Sequence, residues 1–301
     1  MTDDFRSGFV AIVGRPNVGK STLMNMVIGQ KIAIMSKKPQ TTRKKIMTVY
    51  TEEERGQIVF LDTPGMNKAK NKLGEFMVGE INEGLSDADL ILFVTEPSDY
   101  IGGAEKAIME KLRNMDVPVI LVLNKIDVFN GEELKNATLM YSEQMEFADI
   151  VPVSALKTSN REELIDVIFK NLPKGPMYYD PDTLTDETER NIAVELIREQ
   201  AIRKLDKEIP HGIAVVIDKM KERPGGDIVD IDAVIICEKD SHKGIIIGKG
   251  GAMLKNIGTG ARIEIEKMLD KKVNLKLWVK VRKDWRESEA ELKSYGYSKH
   301  N

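Results

Sequence analysis

An unbroken apolar run, Phe9-Val10-Ala11-Ile12-Val13, passes directly into Gly14-Arg15-Pro16-Asn17-Val18-Gly19-Lys20-Ser21-Thr22, and a helix-period segment follows. Few folds accept a strand that turns through a G-x-x-x-x-G-K-[ST] loop into a helix. The loop's backbone N–H groups, the positive helix end and the lysine form a phosphate cradle, and the unit that carries it belongs to an open sheet. Further apolar runs recur at Ile58-Val59-Phe60-Leu61, Leu90-Ile91-Leu92-Phe93-Val94, Val119-Ile120-Leu121-Val122-Leu123 and Ile150 to Val153, with helix-period segments between them. Strands apolar along their whole length suit a sheet covered on both faces by helices. Residues 1–172 are therefore expected to form an α/β, doubly wound domain with a mostly parallel sheet.

Three shorter motifs fall just after strands, at the carboxyl edge where such sheets bind ligands. Asp62-Thr63-Pro64-Gly65 ends the second run, so Asp62 can hold Mg²⁺ through water and the Gly65 N–H can bond a γ-phosphate. Asn124-Lys125-Ile126-Asp127 selects the base. The Asp127 carboxylate can accept from both N1–H and the 2-amino group of guanine, whereas adenine would leave that charge without a donor. Ser154-Ala155-Leu156 can offer an N–H to guanine O6. Ser21 is the second oxygen ligand expected for Mg²⁺. The third is a switch threonine in Pro39-Gln40-Thr41-Thr42-Arg43, with Thr42 favoured over Thr41. GTP and GDP are the implied ligands, and Lys20, Thr42, Asp62 and Gly65 the residues closest to the chemistry. The next residue, Met66, cannot orient an attacking water, so slow intrinsic hydrolysis is expected.

From Pro173 to Asp186 the text is rich in Pro, Gly, Tyr and acids and reads as a linker, 173–186. Residues 187–301 then read as helix, strand, strand, glycine loop, helix and strand, a smaller α+β domain. Lys239 to Arg286 holds 13 Lys and Arg against 5 Asp and Glu, a basic field in a chain whose overall net charge is −3. Within it lies Gly248-Lys249-Gly250-Gly251. A G-x-x-G entering a helix beside strands is the clamp with which KH domains grip about four nucleotides of single-stranded backbone. Lys249 and Lys255 are expected on phosphates, and Ile246 and Ile247 on the floor of the base groove. The same field would suit an anionic membrane surface.

No apolar run approaches the ~18 residues of a membrane span, and Met1-Thr2-Asp3-Asp4 has no signal-peptide pattern, so a cytoplasmic protein is expected. The single cysteine, Cys237, sits in an apolar run and reads as an inert core residue. His211, His242 and His300 lack metal-ligand spacing. Trp285 to Asn301 reads as a short helix and frayed tail.

On G-R-P-N-V-G-K-S-T, P-Q-T-T-R, D-T-P-G, N-K-I-D and G-K-G-G, the chain resembles the Era family of bacterial ribosome-assembly GTPases over essentially residues 8 to 290. The resemblance implies a P-loop GTPase domain and a type II KH domain that binds the 3′ end of 16S rRNA on the 30S subunit. It implies GTP favouring the RNA-competent arrangement and hydrolysis leading to release, in a monomer. Family members similarly carry an apolar residue at the place of Met66, and Asn17 matches an asparagine that helps place K⁺ in related GTPases. Peripheral membrane association is also implied, and a membrane-associated GTPase regulating cell cycle or metabolism is the alternative function.

Overall fold

The computed structural model describes residues 4–34, 38, 41–66 and 69–298; Pro39, Gln40 and His300 lie outside them. The chain divides into two compact units, the first comprising Met1–Ala33, Thr42–Lys68 and Met77–Asp186.

The first unit is a six-stranded sheet, β1 (Arg6–Val13), β2 (Ile46–Glu52), β3 (Gly56–Asp62), β4 (Leu90–Thr95), β5 (Val119–Leu123) and β6 (Asp149–Pro152), in the order β2-β3-β1-β4-β5-β6. All pairings are parallel except β2 with β3, which form an antiparallel edge. The period of two sorts each strand between the sheet's faces. Val10 and Ile12 face α1 (Lys20–Ile28) and α5 (Arg161–Asn171), in one core with Leu23, Val27, Leu164 and Ile168. Ala11 and Val13 face the other way, into a core built with α2 (Lys72–Ser86), α3 (Gly103–Arg113) and α4 (Gly131–Ser142) through Ile81, Leu85, Ile108, Leu112 and Tyr141. This two-sided burial is why the strands are apolar throughout. The sheet thus presents the carboxyl ends of β1, β3, β4, β5 and β6 along one edge.

Residues 173–186, the expected linker, run along this first unit. The Ser7 N–H donates to the Pro173 carbonyl at 3.1 Å, Gln57 Nε2 to the Tyr179 carbonyl at 2.8 Å, and the Val49 N–H to the Leu184 carbonyl at 2.9 Å.

The second unit comprises Ile34–Thr41, Ala69–Phe76 and Glu187–Asn301. Its elements are α6 (Glu189–Lys204), β7 (Ala214–Glu222), β8 (Ile228–Cys237), α7 (Asp240–Ile247), α8 (Ala252–Leu269), β9 (Lys272–Val281) and α9 (Glu289–Ser294). The sheet order is β7-β8-β9, with β7 antiparallel and β9 parallel to β8. Ala193, Ile197 and Ala201 of α6 and Ile257, Ala261 and Ile265 of α8 recur at helical spacing and pack on Ile231, Ala233 and Ile235 of β8. Cys237 is buried in the same core, and burial pushes its thiol up in pKa, as an inert residue requires.

Two sequence expectations are corrected here. The segment before the glycine loop is a helix, α7, so the order is α-β-β-α-α-β; at eight residues it is too short to show a period. The C-terminal segment does not fray through Tyr297: Trp285 is fully buried, its Nε1 donates to the Gly212 carbonyl at 3.1 Å, and its ring stacks on Tyr297 at 6.1 Å. Ser288 caps α9 by accepting from the Glu291 N–H. Replacing Trp285 by Ala is expected to destabilise the second unit by about 3–5 kcal/mol, measured by native-state hydrogen exchange of β8; a loss below about 0.5 kcal/mol would restore the frayed-tail reading.

Candidate functional site

The loop between β1 and α1 places Lys20 at the first position of α1, buried, with Nζ donating to the carbonyls of Gly14 at 3.2 Å and Arg15 at 3.4 Å. Burial pushes its pKa down to about 8, against the opposing pull of Asp62. Asp62, at the end of β3, is completely buried, and burial raises its carboxyl despite Lys20, Ser21 and Thr42. Ser21 Oγ donates to Asp62 Oδ2 at 2.7 Å and lies 3.0 Å from Thr42 Oγ1, itself 3.4 Å from the same carboxylate oxygen. Thr41 turns away, donating its hydroxyl to the Lys38 carbonyl at 2.7 Å. The other oxygen, Asp62 Oδ1, is buried without a hydrogen-bond partner. Three converging oxygen side chains beside an unsatisfied carboxylate oxygen fit a hard, oxygen-seeking cation such as Mg²⁺.

Thr63 and Pro64 are buried, with Thr63 Oγ1 donating to the Ile12 carbonyl at 2.9 Å. Gly65 closes on the phosphate loop so tightly that a Cβ there would stand 3.0 Å from Pro16 Cα. Met66 continues the contact with its N–H on the Gly14 carbonyl at 3.2 Å, while its side chain packs on the core that holds Ala11 and Ile81.

The base-selecting motif is bonded to the phosphate loop. Asn124 Nδ2 donates to the Val18 carbonyl at 2.8 Å, Asn124 Oδ1 accepts from the Ala155 N–H at 3.0 Å, and Lys125 Nζ donates to the Asn17 carbonyl at 2.8 Å. Gly19 permits this closure: its φ is 97° and a Cβ would meet Asn124 Nδ2 at 2.3 Å. Asp127 is exposed, its Oδ1 accepting from Ser154 Oγ at 2.6 Å; Leu156 is 76% exposed on the same rim, and Thr22 is half-buried in α1.

Sequence reasoning passed over Glu96, just beyond β4. It accepts from Arg15 of the phosphate loop and lies 2.7 Å from Lys125 Nζ, while Arg15 Nε lies 2.5 Å from Glu105 of α3. Burial raises the Glu96 carboxyl, but Lys125 and Arg15 outweigh it and leave the pKa lowered. The available signal was position: a carboxylate at the carboxyl end of a central strand, level with the other motifs.

In the second unit Gly248 has φ 72°, and a Cβ there would meet Met253 Cβ at 2.7 Å; Gly250 and Gly251 take φ 58° and 81°. Lys249 and Lys255 are exposed beside them and Ile247 is half-buried. Ile246 is completely buried in the core, which corrects its expected place on the groove surface: it supports the loop from beneath.

A family model described as a 50S ribosome-binding GTPase matches residues 9–125, and a KH domain model matches 208–286. Curated relatives called GTPase Era include those of Alkaliphilus metalliredigens, 53% identical over 97% of this chain and 99% of theirs, and Clostridioides difficile, 55% identical over 98% and 99%. The chain belongs to the Era GTPase family. An Era crystal structure with MgGDPNP and nucleotides 1506–1542 of 16S ribosomal RNA superposes with a TM-score of 0.94 at 38% identity, covering 98% of this chain and 99% of that one. A structure of an Aquifex aeolicus Era variant bound to GDP and AlF₄⁻ is equally similar, with a TM-score of 0.94. The chain is thus a P-loop GTPase carrying a C-terminal KH domain.

Glu96 links Arg15 of the glycine-rich loop after β1 to Lys125 of the Asn124-Asp127 motif. Glu96→Ala is expected to speed GDP dissociation about tenfold, roughly 1.4 kcal/mol, in stopped-flow displacement of a fluorescent GDP; an unchanged rate would show the network to be idle.

Proposed function

We propose that this chain hydrolyses GTP to GDP and phosphate and uses its nucleotide state to time the binding of its KH domain to the 3′ end of 16S rRNA during 30S subunit assembly. The observation that carries this is the convergence of Lys20, Ser21, Thr42 and Asp62 in one unit and a G-x-x-G clamp in a basic field in the other. Lys20 sets its charge against the phosphate oxygens, and the N–H groups of Gly14 to Ser21 line the path of the phosphate chain. Asp127 reads the guanine edge, and the Ser154 hydroxyl holds that carboxylate in place.

Ser21, Thr42 and Asp62 would hold Mg²⁺, which would supply positive charge against the phosphates. Thr42 would be the ligand that engages with the γ-phosphate and lets go after hydrolysis. Lys249 and Lys255 take RNA phosphates, and Ile247 faces the bases. Asn17 is the residue through which K⁺ acts, if the cation stimulates turnover.

Met66, packed on the core, offers no group to orient water, so turnover is slow, on the order of 10⁻³ s⁻¹ or below without a partner. Met66→Gln is expected to raise single-turnover hydrolysis measured by phosphate release; a wild-type chain that is already fast alone would sink this assignment.

The RNA reading is tested by crosslinking the purified chain to total RNA with GDP or a non-hydrolysable GTP analogue, beside Gly250→Asp. Enrichment of the 16S 3′ end that is stronger with the analogue and lost in Gly250→Asp is the expected result. No enrichment, together with retention on anionic vesicles, would favour the peripheral membrane reading of the same lysines.

A further inference from the structure

β9 is one of the two edge strands of the second unit's sheet, and its side chains divide cleanly. Leu275, Leu277 and Val279 pack on the core beneath the helices, and α8 sits so closely that a Cβ on Gly258 would stand 3.3 Å from Leu277 Cδ1. The alternate residues Lys276, Trp278 and Lys280 are turned to the opposite face of the sheet and are exposed, although Ile236 and Ala214, in register with Lys280 on that face, are buried. Trp278 is 48% exposed, whereas the chain's other tryptophan, Trp285, is completely buried.

The cross-strand register places Val234 and then Val216 beside Trp278, so its ring lies at the end of an apolar row. Lys276 and Lys280 stand two residues to either side, about 6.5 Å along the strand, and neither forms an ion pair among the described residues, whereas Lys271 and Lys267 do. Two carboxylates share the face: Asp232 lies opposite Lys276, and Asp230 is held by Arg223 and Asn274.

An exposed indole flanked on the same face by two lysines that form no ion pair among the described residues is a stacking platform with a cation for the phosphate on either side of the stacked base. We propose that this outer face of β9 is a second contact for single-stranded RNA, separate from the glycine loop, taking a base of the strand that continues beyond the four nucleotides of the clamp. The proposal rests on the reading of the second unit as RNA-binding and adds to it a site on the other face of the sheet. The cationic flanks favour RNA over a second copy of the chain, whose own Lys276 and Lys280 would meet their like.

The test uses the full chain and two single-stranded RNAs, a tetranucleotide and a dodecanucleotide, followed by anisotropy and by intrinsic tryptophan fluorescence. Because Trp285 is buried, quenching on binding reports Trp278. The dodecamer is expected to quench, and Trp278→Ala to weaken it about tenfold while leaving the tetramer unchanged, with Trp278→Tyr restoring most of the affinity. Lys276→Gln with Lys280→Gln, two exposed changes that spare the core, should weaken the dodecamer and flatten its salt dependence.

Equal dodecamer affinity in wild type, Trp278→Ala and the double lysine variant would overturn the platform while leaving the clamp standing. Failure of both RNAs to bind wild type would overturn the RNA reading with it. A concentration-dependent dimer abolished by Trp278→Ala would assign the face to self-association instead and overturn the proposal.

Discussion

A fully buried carboxylate, Asp62, is the constraint around which the first unit is organised. Burying an ionised group costs several kcal/mol unless charges and donors meet it. Here a buried ammonium, Lys20, and two hydroxyls, Ser21 and Thr42, do so incompletely, because one oxygen stays without a donor. Burial acts on both ions in the sense that discharges them, raising Asp62 and lowering Lys20. A polyanionic ligand and a hard cation would reverse both tendencies, since each buried charge would gain a partner of opposite sign. The polypeptide alone is thus built short of electrostatic balance, a deficit that the proposed nucleotide and metal would fill.

The same logic extends along the sheet edge. Asn124 and Lys125 donate to carbonyls of the phosphate loop, and Glu96 receives cations from both loop and base motif. The motifs assigned to opposite ends of the nucleotide in the proposed function therefore share one hydrogen-bonded frame. The frame requires a glycine at position 19, where any side chain would fill the place of the Asn124 amide. Loss of a frame contact should be felt as nucleotide retention before it is felt as chemistry, because none of these groups reaches the oxygen cluster around Asp62.

Much of this was legible in the sequence because the physical signals were local. Apolar runs marked β1, β3, β4 and β5 where both faces are buried, and the helix and strand read after the glycine loop correspond to α8 and β9. What escaped was tertiary. The eight residues of α7 are too few to display a period, and Ile246 was read for its apolar character when its direction, into the core, decides its role. The polar, proline-rich text of 173–186 signalled an irregular path, yet only the fold reveals Gln57 and Ser7 as its hydrogen-bond partners. Glu96 carried no motif at all; its place beyond a central strand acquired meaning once Arg15 and Lys125 were beside it.

Exposure of large apolar side chains in the second unit follows a different rule from the first. Most strand residues of β1, β3, β4 and β5 are buried because helices cover both faces, but β7, β8 and β9 pack α6 and α8 on one face, and much of the other is exposed and alternates Lys, Asp and apolar side chains. A one-sided sheet must satisfy its open face with polar groups or use it. Asp230 shows the first solution: it is tied to Arg223 and Asn274, and those bonds hold its carboxyl far below the usual carboxylate range. Trp278 does not fit that solution, since an indole on water-facing sheet gains little from Val234 alone that a smaller β-branched residue would not also gain. Its size suits stacking on a planar partner, and the two lysines beside it favour an anionic one, as the proposed RNA contact requires.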